Sequence, residues 1–251
     1  VKSRRVFGCE HEFVGREREL ETMVAAAHAG HGLAILAAPG VGASELLRQA
    51  YDELFRSESV IPFYFELKRS DRDATTAARR FAHEFLVQSV AWARKDPTLI
   101  AVRPSLDEIS RLALAEFSWI DGAIDAMLAD ADISTFLAVP ARARHGVAVL
   151  VDSVERIMSI RDGRRFLDGL TEMGGVSVIA SGSRRLMYGR TRSAHLRLGP
   201  LPFAECAQAV ETLADHWHVE ITDATRDLIA VQTEGSLVTA DLLFAQAADE
   251  A

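Results

Sequence analysis

The chain has 251 residues, 49% of them hydrophobic, and a formal net charge of −8. That length can bury one full core with a small appendage, and the acidic balance argues against a nucleic-acid footprint spread over the surface. No apolar run approaches the roughly 18 residues that a membrane helix needs, so no membrane span is expected.

The opening Val1-Lys2-Ser3-Arg4-Arg5 lacks the apolar segment of a secretory signal, and the absence of an initial Met points to processing or to a piece of a longer chain. Phe13 to Leu20 leads into a helix that carries Leu20, Met23, Val24 and Ala27 on one face. Gly30 and Gly32 end it and release a first strand centred on Ile35. Val60 to Leu67 reads as a second strand centred on Phe63, with Pro62 tolerated near its beginning. A helical insertion follows. Ala78, Phe81, Phe85 and Trp92 fall at helical spacing and read as core. Ser105 and Glu108 form a capping box ahead of Ile109, Leu112 and Ala113, and Trp119 through Leu137 is expected as one further helix.

Val147 to Asp152 is a continuous apolar run ending in a carboxylate, the pattern of a strand buried on both faces. A helix near Gly163 to Met173, a strand at Val176 to Ser181 and a shorter one at His195 to Leu198 complete the alternation. Pro200-Leu201-Pro202 marks a boundary, and helices are expected at Ala204–Trp217, Asp223–Gln232 and Leu237–Ala248. The fold class is therefore α/β: a doubly wound parallel sheet of five strands in residues 1–201, followed by a small helical lid in 202–251. Cys9 and Cys206, the two cysteines, are expected as free thiols in a reducing cytosol, hence a cytoplasmic location. The Arg-rich stretch from Arg184 to Arg197 is a local basic exception, expected in a solvated or interface role.

Residues 37–44 carry the chemical signal. A phosphate-binding loop reads G-x-x-x-x-G-K-[ST], in which backbone N–H groups cradle phosphates, Lys reaches the β/γ-phosphates and the hydroxyl holds Mg²⁺. Here Ala37 stands at the first Gly, Gly42 at the second, Ala43 at the Lys and Ser44 at the hydroxyl. Apolar Leu33 to Leu36 precedes the loop and a helix beginning at Glu45 follows, which is the strand–loop–helix context required. Taken alone, Gly40 and Gly42 fit a tight turn and Asp152 a strand-end cap.

The order of four stations favours the other reading. Val14-Gly15-Arg16-Glu17, the loop at 37–44, the strand ending in Asp152 and the strand ending in Ser181-Gly182-Ser183 together resemble the AAA+/STAND superfamily of P-loop ATPases. The match is to the group opening with an F-V-G-R-E-x-E-L box, over roughly Phe13 to Ala247. The resemblance implies a P-loop NTPase sheet with a helical lid, and ATP or ADP with Mg²⁺ as ligands. By the same resemblance Val14, Gly15 and Arg16 flank the base, while Pro39, Gly40, Val41, Gly42, Ala43, Ser44 and Glu45 surround the phosphates. Asp152 and Ser44 then serve the metal, and Ser181 or Ser183 senses the γ-phosphate.

Three departures qualify this. Ala43 replaces the Lys, Ser153 replaces the catalytic Glu after Asp152, and the lid offers Glu234-Gly235-Ser236-Leu237 in place of Gly-Gly-x-Pro, without a sensor Arg. A hydrogen bond to a charged group contributes about 1.5–3 kcal/mol, so losing the Lys weakens binding roughly 10- to 150-fold. Losing a general base removes about 10²–10⁴ in rate, and Glu155 reaches the site only if the strand end is reshaped. The eight His show no H-x-x-x-H pair, and Ser181-Gly182-Ser183 is no G-x-S-x-G elbow, so zinc and Ser-hydrolase chemistry are not expected. The expected function is a degenerate ATPase module that acts by binding, through a protein partner or self-assembly. One alternative is an active ATPase with Lys68 or Arg16 as a substitute cation; another is a nucleic-acid-associated ATPase.

Overall fold

Val147–Asp152 is buried at every position, which only a central strand with both faces covered permits. The computed structural model describes residues 6–8, 13–129, 132–182 and 194–249. Five strands form one sheet: β1 Leu33–Ala37, β2 Ile61–Glu66, β3 Val147–Asp152, β4 Ser177–Gly182 and β5 Ala194–Leu198. Their order is β2-β3-β4-β1-β5 and every neighbouring pair is parallel. The five strand centres expected from the sequence all fall within them.

Successive side chains of a strand alternate between faces, and two cores result. Val147, Val149 and Val151 face one layer with Phe63, Phe65, Phe81, Phe85 and Phe166. Ala148 and Leu150 face the other, with Ile35, Leu46, Leu47 and Tyr51. The second layer is built by α1 Glu17–His28 and α2 Ala43–Ser57, whose buried Leu46, Leu47, Ala50, Tyr51 and Leu54 make one helical face.

The insertion between β2 and β3 covers the first face. It comprises α3 Ala74–Arg94, α4 Thr98–Val102, α5 Leu106–Leu112, α6 Trp119–Ala129 and α7 Ile133–Leu137, and α8 Gly163–Thr171 joins them after β3. The Ser105/Glu108 capping box forms at the start of α5. The single helix expected over Trp119–Leu137 is instead two, because Asp132 accepts a hydrogen bond from the Ser134 N–H and starts α7 afresh.

After β5 come α9 Phe203–His216, α10 Asp223–Gln232 and α11 Val238–Asp249. They enclose a third core of Cys206, Val210, Leu213, Ala230, Ala240 and Phe244. Cys9, Ser183 and the stretch from Arg184 to Ser193 lie outside the described residues. Among the described residues, no helix is long and apolar enough to cross a membrane.

Candidate functional site

β1 lies between β4 and β5, where the strand order reverses, and crevices at such switch points are where α/β sheets take ligands. The chain leaves β1 at Ala37 and turns through Gly40 at φ +85° and Gly42 at φ +91°. Side chains rarely adopt this left-handed backbone, so glycine is required at both positions. Gly42 caps α2, which begins at Ala43. The first amides of α2 have no partner within the helix, and Ala43, Ser44 and Glu45 line an open cleft of about 630 Å³. That volume lies within the range of small-molecule sites.

The other walls come from the sheet and from the segments that flank it. Asp152, Ser153 and Glu155 follow β3, Ser181 and Gly182 end β4, and Pro39, Gly40 and Val41 close the loop side. Phe7, Phe13, Val14, Leu201, Leu213 and Leu237 give an apolar side on which a flat ring can lie. Gly15 is not among the lining residues. It adopts φ +74° and donates its N–H to the Glu17 carboxylate, which shapes the turn into α1.

Arg16 borders the cleft, but its charge is committed to the protein. The buried guanidinium donates to the carbonyls of Val41 and Gly199 and pairs with Glu19 at 3.2 Å. It therefore fastens the loop to the start of α1 and to the end of β5. As a substitute for the missing Lys it is already engaged. Lys68, the other candidate cation, lies in a separate cavity of about 200 Å³ and approaches Glu84 at 3.9 Å.

Asp152 is 3% exposed and held on both oxygens. Oδ1 accepts from the Ser181 hydroxyl at 2.8 Å and from the Ser153 N–H at 2.7 Å, and Oδ2 accepts from the Tyr64 hydroxyl at 3.0 Å. Burial, and then the Asp152 charge, push the Tyr64 hydroxyl well above its ordinary pKa, so it remains a donor. Ser153 takes a left-handed turn at φ 57° into a 3₁₀ helix over Val154–Ser159. The strand end is thus reshaped, and Glu155 reaches the cleft wall.

Sequence reasoning assigned no place in the site to Arg48, Phe7 or Ser236. Arg48 lines both the main cleft and the smaller cavity, with its guanidinium carbon 5.9 Å from the Tyr64 ring centre. Its signal was its place four residues after Ser44, on the same face of α2. Phe7 packs edge-on against Tyr51 at 4.7 Å, because Asp52 accepts the N–H groups of Val6, Phe7 and Gly8 at 3.0–3.2 Å. Ser236 lies against the loop, where a Cβ added to Gly40 would meet its hydroxyl at 2.9 Å. Gly235, at φ +79°, passes so close to Leu201 that an added Cβ would stand 2.5 Å from the Leu201 nitrogen.

No family model and no curated protein matches the chain. Solved structures do. The Holliday junction branch migration motor RuvB of Thermotoga maritima aligns at a TM-score of 0.50 and 16% identity, over 98% of this chain and 65% of that one. Domain III of the Thermotoga maritima replication initiation protein DnaA aligns at 0.53 and 11% identity, covering 96% and 87%. The Walker-type ATPase PABY2304 of Pyrococcus abyssi aligns at 0.55 and 12% identity, covering 95% and 69%. The chain thus spans somewhat less than two thirds of the RuvB chain it matches. The five-stranded parallel sheet with flanking helices matches the AAA+ P-loop NTPase fold of these structures.

Proposed function

We propose that the chain is a nucleotide-binding module with impaired or absent hydrolysis, acting as a regulatory or scaffolding part of a larger assembly. One observation carries this reading: the glycine cradle and its cleft stand open, while the groups that drive turnover are missing or engaged. Ala37 and Ala38 line the cleft without filling it, and Leu36 packs into the sheet core. The first turn of α2 and the loop amides supply phosphate contacts, and the apolar wall by Phe13 and Val14 receives the base. In this reading residues 1–201 form the nucleotide domain and 202–251 the lid.

The Mg²⁺ that the fold family implies is poorly served by the residues present. A carboxylate offers about four acceptor positions, and three on Asp152 are taken by protein donors. Among the described residues, no group of three or more His, Cys, Asp or Glu is arranged to hold a metal. Ser44 remains as one hydroxyl on the cleft wall. Hydrolysis therefore lacks the family's Lys at Ala43 and its Glu at Ser153.

A protein partner or a second copy is the proposed counterpart. Leu228, Val231, Val238 and Leu242 are exposed on α10, at the start of α11 and along it, and the net charge of −8 opposes a nucleic-acid surface. The experiment is titration of the purified chain with labelled ATP and ADP, together with a turnover assay. Saturable binding with no measurable hydrolysis is expected. Turnover on the order of 1 s⁻¹, typical of competent enzymes, that Asp152→Ala abolishes would reject the reading.

Glu155 favours a second reading, slow hydrolysis with that carboxylate as base, since it lines the cleft on the reshaped strand end. Residual turnover abolished by Glu155→Gln would establish it.

A further inference from the structure

Two cations are poorly provided for at the phosphate end of the cleft: the Lys that Ala43 replaces, and a metal, because three of the roughly four acceptor positions of Asp152 are taken by protein donors. Phosphates held by backbone amides alone would face an acidic wall. Among the described residues, the lining includes Glu45, Asp152, Glu155 and Asp241 with Arg16 and Arg48 as its arginines. Arg16 is bound to two carbonyls and to Glu19. Of these two, Arg48 is the less committed, with Glu45 at 3.7 Å and the Tyr64 side chain as its neighbours.

Its placement suits the task. Ser44 and Arg48 are four residues apart on α2, so they share a face and are separated by about 6 Å along the axis. Side chains on a helix tilt toward its N-terminus, which directs Arg48 back toward Ser44 and the cradle. Arg48 is 36% exposed and pairs with Glu45 at 3.7 Å, a loose contact of the kind readily exchanged for a phosphate. It borders both cavities, and so has open space on two sides in which to change rotamer. A guanidinium also suits phosphate oxygens, offering two parallel donors.

Building on the nucleotide-binding reading above, we infer that Arg48 serves as the phosphate-side cation of this site and that nucleotide binds without a divalent metal. Arg48 lines the cleft together with the cradle residues, and its guanidinium carbon lies 5.9 Å from the ring centre of Tyr64, which donates to Asp152. It is a binding residue and takes no part in bond breaking.

The test is titration of the whole chain with a fluorescent ADP, once with excess Mg²⁺ and once with EDTA. Affinities that differ by well under tenfold are expected. Arg48→Gln should weaken binding about tenfold or more in both buffers, and Arg48→Lys should keep most of it. Circular dichroism and a matched melting temperature confirm that each variant is folded. Mg²⁺ tightening of the wild type by tenfold or more overturns the metal-free mode while leaving nucleotide binding intact. Unchanged affinity in folded Arg48→Gln overturns the role of Arg48. Absence of binding in both buffers overturns this inference together with the reading on which it rests.

Discussion

The Tyr64 hydroxyl donates to Asp152 Oδ2 at 3.0 Å, so a residue of β2 restrains the carboxylate at the end of the adjacent β3. The register makes this unavoidable. Glu66 pairs with Asp152, and Tyr64, two residues earlier, projects from the same face of the sheet. Ser181 grips the other oxygen from β4, and the acid is held from both neighbouring strands.

Tyr64→Phe preserves the ring that packs 5.1 Å from Phe7 but removes the donor. Stability should fall by about 1.5–3 kcal/mol, as for other hydrogen bonds to a charged group, measured by urea denaturation. One carboxylate oxygen is released, and Mg²⁺ should begin to tighten nucleotide binding. Binding that stays indifferent to Mg²⁺ would show that Tyr64 is not what keeps the metal out.

Tyr64 and Tyr51 are both raised above the ordinary tyrosine pKa, chiefly by burial. The folded state therefore holds more protons than the unfolded chain above about pH 10, where free tyrosine ionises. Stability is complete below that pH and falls as pH rises toward the folded-state values. Denaturation midpoints recorded between neutral pH and about pH 11 should decline at the alkaline end, and less steeply in Tyr51→Phe. Among the described residues the buried Tyr51 hydroxyl has no hydrogen-bond partner, so that substitution should cost nothing at neutral pH.

Arg16→Met removes the donor shared by the Val41 and Gly199 carbonyls. Loss of about 2–3 kcal/mol is expected, because two carbonyls and Glu19 lose a charged partner together. Faster amide exchange confined to residues 38–42 and 199–201 would identify the loop as the part released.

Ala43→Lys restores an ammonium at the first residue of α2. Nucleotide affinity should improve by at least about tenfold. Turnover should remain negligible, since Ser153 still supplies no base and Asp152 is still held. An unchanged affinity would place the phosphates away from Ala43.

The sheet was legible because parallel strands buried on both faces leave unbroken apolar runs, as in Val147 to Val151. The loop was legible through its glycines, whose positive φ no other residue supplies as readily. What escaped depended on tertiary pairing. Nothing local in Ile61–Glu66 says that Tyr64 reaches Asp152, and Asp132 starting a new helix inside an apolar stretch is a local cap that outweighs periodicity. Charge alone singles out Lys68 and Arg16 as substitute cations; one lies in another cavity and the other fastens backbone. Arg48 escapes such a reading because its meaning comes from the face it shares with Ser44.

Ser236, in the turn between α10 and α11, lies where a side chain on Gly40 would meet its hydroxyl, so that turn packs against the glycine loop. Under the proposed function, a nucleotide seated in the cradle meets this turn on one side. Residues 233–237 would then influence how quickly it leaves, separately from how tightly it binds.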